Sequence, residues 1–108
     1  MFVDSKLQRK KRLEQLFYQE LSRVLPAVLQ GEKGPLSTSR LTVMKVIASG
    51  DLKKINVFVH TEKVEAFNII RQRASKIRAL VAHSLNLRRT PEFHFLPFQD
   101  EIDFEALL

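Results

Sequence analysis

The chain has 108 residues, 44 % of them apolar and 28 % charged, which suits one soluble domain with a modest core. It carries 18 Lys and Arg against 12 Asp and Glu, a formal net charge of +6. Cysteine is absent, which excludes disulfides, thiolate catalysis and cysteine-based metal sites. The charge is uneven, because Asp100, Glu101, Asp103 and Glu105 all fall near the C-terminal end. Residues 1–99 therefore hold 18 basic against 8 acidic residues, a net +10. A field of that sign on so small a body attracts polyanions and speeds their capture. No apolar run is long enough to span a bilayer. The opening segment MFVDSKLQRKKR lacks the apolar stretch of a secretory signal, so a cytoplasmic protein is expected.

In chain order, Ser5 to about Gln30 reads as a helix. Leu13, Leu16, Phe17, Leu21, Val24, Leu25 and Val28 recur at three- and four-residue steps, a single apolar face. Pro26 falls inside that pattern and predicts a kink or an end, with a frayed last turn. Gly31 to Pro35 marks a loop. Leu41 to Ala48 suits a strand, Ser49-Gly50-Asp51 a turn, and Lys53 to His60 a second strand. In that second strand Ile55, Val57 and Val59 lie on one face and Lys54, Asn56, Phe58 and His60 on the other. The short turn makes the two an antiparallel hairpin. Thr61 reads as a helix N-cap, with Glu62 and Glu65 suiting the dipole. Val64, Phe67, Ile70, Ala74, Ile77, Val81 and Ser84 or Leu85 then keep a helical period to about Leu87, with a bend expected at Ala74-Ser75. Pro91 stops the helix, and Glu92 to Leu96 forms a last strand with Phe93 and Phe95 on one face. The order helix, strand, strand, long helix, strand predicts an α+β fold, with helices packed on one side of a three-stranded sheet. The expected division is a folded domain over residues 1–97 and an acidic tail over 98–108.

Basic clusters are the candidate sites. Lys6, Arg9, Lys10, Lys11 and Arg12 open the first helix, where cations oppose the positive end of the dipole. That cost points to an external anion, against the plain reading of a solvated terminus. Arg71, Arg73, Lys76 and Arg78 lie on the long helix; arginines beside an apolar stripe also often rest their stems on the core. Arg88 and Arg89 stand at the helix-to-strand junction, Lys53 and Lys54 enter the second strand, and Lys45 lies on the first. Gly31-Glu32-Lys33-Gly34 matches a GxxG nucleic-acid clamp literally, but such a clamp joins two helices and this one precedes an extended segment. His60, His83 and His94 sit on three different elements without ligand spacing, so no metal site is expected. No serine sits in a nucleophile elbow and no phosphate-binding glycine loop follows a strand. Neither catalytic residues nor cofactors are indicated. Phe58, Phe93 and Phe95 are candidates to stack bases or to fill the core.

Three segments together resemble the ribosome-binding factor A family over about residues 9–96. Arg9-x-x-Arg12-Leu13 is similar to the start of that family's first helix. LTVMKVIASGDLKKINVFV is similar to its first strand pair, and IRALVAHSLNLRRTPEFHF to its helix, leucine-arginine step and Pro91-Glu92-Phe93-x-Phe95 strand. The resemblance implies a KH-like domain of the second type, in the order helix, two strands, two helices joined at a kink, strand. That family has a small-residue kink in place of a GxxG clamp; its usual glycine near Ala74-Ser75 is missing here, so a weaker bend is expected.

The function so implied is maturation of the small (30S) ribosomal subunit by binding and remodelling 16S rRNA, including processing of its precursor, with cold adaptation as a typical consequence. The expected partners are free small subunits rather than whole ribosomes, with no membrane and no small-molecule substrate, and the expected state is a monomer. The expected contacts are Arg9, Lys10, Lys11, Arg12, Lys45, Lys53, Lys54, Arg73, Lys76, Arg78, Arg88 and Arg89. The rival reading is a protein–protein interaction module whose basic face is only solvated.

Overall fold

The computed structural model describes residues 5–32 and 40–98, with side chains from Leu7 onward. Helix α1 spans Ser5–Gln30, strands β1 and β2 span Leu41–Ala48 and Lys54–Thr61, helices α2 and α3 span Val64–Gln72 and Ala74–Leu85, and β3 spans Glu92–Pro97. The three strands form one sheet in the order β1-β2-β3, antiparallel between β1 and β2 and parallel between β2 and β3. The expected α+β architecture and element order are present. The loop residues Lys33, Gly34 and Pro35, the Lys6 side chain and the acidic residues after position 98 lie outside the described residues.

Helix α1 continues through Pro26. An interior proline forfeits a backbone bond and crowds the preceding turn, at about 3 kcal/mol. Leu25, Val28 and Leu29 are nearly fully buried around it, and each such side chain contributes roughly 1.5–3 kcal/mol. Packing wins: of the kink or end expected at Pro26, the end is not taken and the helix runs on to Gln30. The final turn is closed by the Gly31 N–H, which bonds the carbonyls of Ala27 and Val28. Leu16, expected on the buried stripe, is 41 % exposed.

The hairpin holds two devices that periodicity does not show. Val43, Val46 and Ala48 all face inward, although Val43 and Val46 are three apart. A bulge between Val43 and Lys45 takes up the extra residue, leaving Met44 outside the ladder. In the turn, Leu52 rather than Gly50 adopts positive φ, at 61°. That conformation costs roughly 1–2 kcal/mol for a residue with a side chain. It is offset by packing of Leu52 against the core and by side-chain bonds. The Asp51 carboxylate accepts the Ser49 hydroxyl at 2.6 Å and the Lys53 N–H at 3.0 Å. The Ser49 oxygen in turn accepts the Lys54 N–H at 3.1 Å.

Thr61 does not cap a helix. It ends β2, and its hydroxyl bonds the Lys63 carbonyl at 3.0 Å, while Lys63 stands at the N-cap without a side-chain cap bond. The long helical period divides at Arg73 (φ −93°, ψ 15°), immediately before the Ala74-Ser75 pair where a bend was expected. Ala66, Ile70, Ile77 and Val81 supply the buried positions, and Val64, counted in the stripe from its spacing, is 72 % exposed. Helix α3 ends at Leu85, two residues short of the expected Leu87. Asn86 takes the left-handed conformation (φ 52°, ψ 49°), and the Leu87 N–H bonds the Ala82 carbonyl at 3.0 Å. Asparagine tolerates that conformation, and Leu87 packs on the core as such a cap favours.

One apolar core lies between the helices and one face of the sheet. Phe93 and Phe95 belong to it, and the Phe93 ring meets Phe17 edge-on, with centroids 5.4 Å apart and planes at 78°. Phe17 is 0 % exposed. Truncating it to alanine removes both the burial and the ring contact, so Phe17→Ala is expected to lower stability by about 3–5 kcal/mol. Urea unfolding followed by circular dichroism measures this; a loss below about 1 kcal/mol would show that the ring is not a central packing element.

Candidate nucleic-acid interface

The sheet and α1 bring several of the basic residues to one end of the molecule. Glu14, two residues after the basic run of α1, accepts the Ala48 N–H at 2.7 Å and so pins the helix to the end of β1. Arg9 then lies beside Gly50, Asp51 and Leu52 of the hairpin turn. Arg9 and Arg12 also line a shallow groove along α1 with Gln8, Leu13 and Leu16. The far side of the same turn opens into a cleft lined by Asp51, Leu52, Lys53, Arg78, Arg89, Thr90, Pro91 and Glu92. Arg9 lines the groove and also stands against the turn, and Asp51 and Leu52 line both that contact and the cleft, so the depressions adjoin one another from Arg12 to Arg89.

Backbone bonds hold the cleft in place. The Glu92 N–H donates to the Lys53 carbonyl at 2.9 Å, joining the start of β3 to the hairpin turn. Arg78 donates from Nη2 to the Thr90 carbonyl, tying α3 to the segment that carries Arg88 and Arg89. The left-handed cap at Asn86 and the inward Leu87 turn the chain so that both arginines remain exposed. Cations on rigid junctions of this kind suit phosphate oxygens, which set position more than sequence.

The other candidates are distributed differently. Arg73 pairs with Glu32 at 3.2 Å and so ties the helix break to the end of α1, away from the cleft. Arg71 lies over the Phe67 ring, 5.8 Å from its centroid. Lys45 and Lys54 are exposed on the open face of the sheet, the face that the helices do not cover. Lys10 is half-buried, while Lys11, Lys76 and Arg88 are exposed on their own elements. Of the phenylalanines offered as stacking residues, Phe93 and Phe95 are core; Phe58 is half-buried on the open face. Among the described residues no three His, Cys, Asp or Glu side chains gather as a metal site, and no helix is long and apolar enough to cross a membrane.

Sequence reasoning missed three residues of this region. Glu14 was visible only as a lone acid between the apolar Leu13 and the Leu16-Phe17 pair. Asp51 organises the turn that separates the two depressions. Its carboxyl sits below the usual range because the Ser49 hydroxyl and then the Lys53 N–H bond its charged form. Thr90 was invisible, since it acts through its carbonyl.

A three-stranded mixed sheet backed by three helices, the last two broken at one residue, defines a small KH-like α+β domain with a cationic end. The comparisons with known proteins make the assignment narrower. The family model described as ribosome-binding factor A matches residues 9–103, and the chain belongs to that family. Ribosome-binding factor A of Legionella pneumophila (strain Lens) is 24 % identical over 105 residues, covering 94 % of this chain and 82 % of the relative. The Synechococcus protein of the same name is 28 % identical over 93 residues, covering 82 % of this chain and 66 % of that one. The crystal structure of ribosome-binding factor A from Thermus thermophilus superposes with a TM-score of 0.67 at 28 % identity, over 82 % of this chain and 94 % of the other. A homology model of the Thermus thermophilus factor, fitted into a cryo-EM map of a complex with the 30S subunit, gives a TM-score of 0.61 at 26 % identity, over 81 % and 97 % of the two chains.

The depressed Asp51 value carries a sign. Its charged form strengthens the turn above the ordinary value of 3.8, and that contribution is lost as pH falls through the lower folded value. In an NMR titration the Lys53 and Lys54 amides should therefore move in a step centred below 3.8, absent in Asp51→Asn. A step at or above that value would remove the carboxylate from its assigned role.

Proposed function

We propose that this chain is a non-enzymatic assembly factor that binds the small ribosomal subunit and remodels its 16S rRNA. The observation that carries the reading is that Arg12, Arg9, Lys53, Arg78 and Arg89 line adjoining depressions around the hairpin turn, with Asp51 and Glu92 as the acids among them. Family membership supports it, as does the Thermus thermophilus relative fitted into a 30S complex. The mechanism is occupancy. Each phosphate contact releases counterions and adds salt-sensitive affinity with little sequence selectivity. Specificity then comes from RNA shape, because the cations stand on rigid junctions with fixed spacing, and double-stranded RNA is read largely by shape.

Residue roles divide by what each side chain already does. Arg9, Arg12, Lys53, Arg88 and Arg89 are the primary phosphate contacts, with Lys11 and Lys76 extending the field. Arg78 shares its guanidinium between the Thr90 carbonyl and the cleft. Lys10 is a weaker contributor, being half-buried. Arg73 acts mainly through Glu32, and Lys45 and Lys54 face another side of the molecule. The finer reading includes precursor rRNA processing, a preference for free subunits, action as a monomer in the cytoplasm and a role in growth at low temperature. The folded body is residues 1–97, and residues 98–108 are a separate acidic segment.

The test is co-sedimentation with isolated small subunits in a sucrose gradient, across a range of salt. Arg88→Glu with Arg89→Glu should weaken binding, leave the circular dichroism spectrum unchanged, and reduce the log–log salt slope by about 2. Unchanged sedimentation, or wild-type binding insensitive to salt, overturns the reading in favour of a protein-interaction module.

A further inference from the structure

The glycine at the tip of the hairpin turn has no reason internal to the fold. Gly50 does not take the left-handed conformation that favours glycine; Leu52 takes it instead. A Cβ added at Gly50 would meet no heavy atom of the described residues within 4 Å, its chain neighbours aside. Neither backbone strain nor packing therefore calls for a missing side chain. The remaining use of glycine is close approach of the backbone to a ligand. Gly50, Asp51 and Lys53 are exposed, and the turn is braced from within, because Asp51 accepts the Ser49 hydroxyl at 2.6 Å and the Lys53 N–H at 3.0 Å.

Cations stand on both sides of this bare tip. Arg9 lies against Gly50, Asp51 and Leu52 on one side. On the other, Lys53, Arg78 and Arg89 line the cleft together with Asp51 and Leu52. Helix α1 reaches the turn along β1, where Glu14 holds it, while the cleft opens towards β3, whose Glu92 N–H bonds the Lys53 carbonyl. A single phosphate backbone follows one flank of the turn. Two backbones bordering a groove meet both.

We propose that the hairpin turn seats in the minor groove of double-stranded RNA, with Arg9 on the phosphates of one strand and Lys53 and Arg89 on those of the other. This rests on the reading of the cationic end as an RNA surface and names the RNA structure it takes. The A-form major groove is deep and narrow, whereas the minor groove is wide, shallow and lined with 2′-hydroxyls and base edges. Without a side chain at Gly50, the backbone of the turn comes close to that floor. Asp51 gains a task that an acid among phosphate-binding cations otherwise lacks. An ionised carboxylate accepts about four hydrogen bonds, and Ser49 and Lys53 supply two. The rest of its capacity is open to a ribose 2′-hydroxyl, a donor that DNA lacks. Glu92, the other acid of the cleft, lies off the turn at the start of β3, with His94 Nε2 at 3.5 Å.

Fluorescence anisotropy of the full chain with a short blunt RNA duplex, a DNA duplex of the same sequence and each single RNA strand tests this. The RNA duplex should bind tightest. Gly50→Ala and Gly50→Leu should leave the circular dichroism spectrum and melting temperature unchanged. Both should weaken duplex binding, by about tenfold for alanine, the size expected when a methyl is forced into a closely packed contact, and by more for leucine. Arg9→Gln and Arg89→Gln should each lower the log–log salt slope by about 1. Four results overturn the proposal: RNA duplex binding no tighter than DNA or single strands, a Gly50 variant that binds as the parent does, a Gly50 variant that melts lower and so reveals a packing reason for the glycine, or a slope that neither glutamine variant changes. Co-sedimentation of the unaltered protein with small subunits separates the two readings. Subunit binding without duplex binding removes the minor-groove seat alone, and absence of both removes the RNA surface with it.

Discussion

The seating of α1 across the sheet is the constraint on which the rest of the structure depends. Two contacts of different kinds fix it. Phe17 packs its ring edge against Phe93, which joins the helix to the edge strand β3. Glu14, one turn earlier, accepts the Ala48 amide and fixes the same helix to the end of β1. One contact is apolar and tolerant of small shifts; the other is directional and sets register. Together they determine where the first turns of α1 project, and so where Arg9 and Arg12 stand relative to the hairpin turn. Loosening that seat would leave the cations in place on the helix but dissolve the surface they form with Lys53 and Arg89.

The cationic end is costly in isolation, which is itself informative. The first turn of α1 contains no acid to complement the helix dipole, and Arg9 and Arg12 add positive charge near that end. The hairpin turn brings Lys53 close, and the Asn86 cap directs the Arg88-Arg89 corner outward. Asp51 and Glu92 are the local acids of the cleft, and the Asp51 carboxylate is already engaged by the Ser49 hydroxyl and the Lys53 N–H. Lys53, Arg78 and Arg89 still outnumber these two acids around the cleft, and that excess favours an external polyanion.

Element types and order were legible because they rest on periodicity, which a single sequence displays in full. The period-two pattern of Ile55, Val57 and Val59 marked β2, and the three-to-four spacing from Leu13 to Val28 marked α1. What was not legible depends on contacts distant in sequence. Pro26 reads as a kink or an end until the burial of Leu25, Val28 and Leu29 is known. Thr61 reads as a cap until β2 is seen to claim it. Val64 satisfies the helical period yet falls outside the packing, because the stripe of α2 begins at Ala66. The bulge at Met44 was readable in principle, since Val43 and Val46 cannot share a face of a regular strand. The comparable signal for the end of α3 was Asn86, which tolerates the left-handed conformation that closes it.

The candidate site was legible as an inventory and not as a surface. Composition supplies the number of cations, but the fold decides which of them are free to meet an anion. Arg73, Arg78 and Arg71 make the point. They follow one another on adjoining helices and read as one cluster, yet the structure gives each a different task. Arg73 closes an ion pair with Glu32, Arg78 braces the Thr90 carbonyl beside the cleft, and Arg71 rests on Phe67. Arg9, Lys53 and Arg89 are scattered through the sequence and read as unrelated, yet they stand on two sides of the same hairpin turn. Proximity along the chain is thus a poor guide to a shared electrostatic surface in a mixed α+β fold, because successive helix positions diverge around the axis while hairpin turns, helix starts and strand starts converge at one end of the sheet. A surface built at that end inherits its rigidity from the sheet, and it gains its charge from junctions where side chains are not needed for the core.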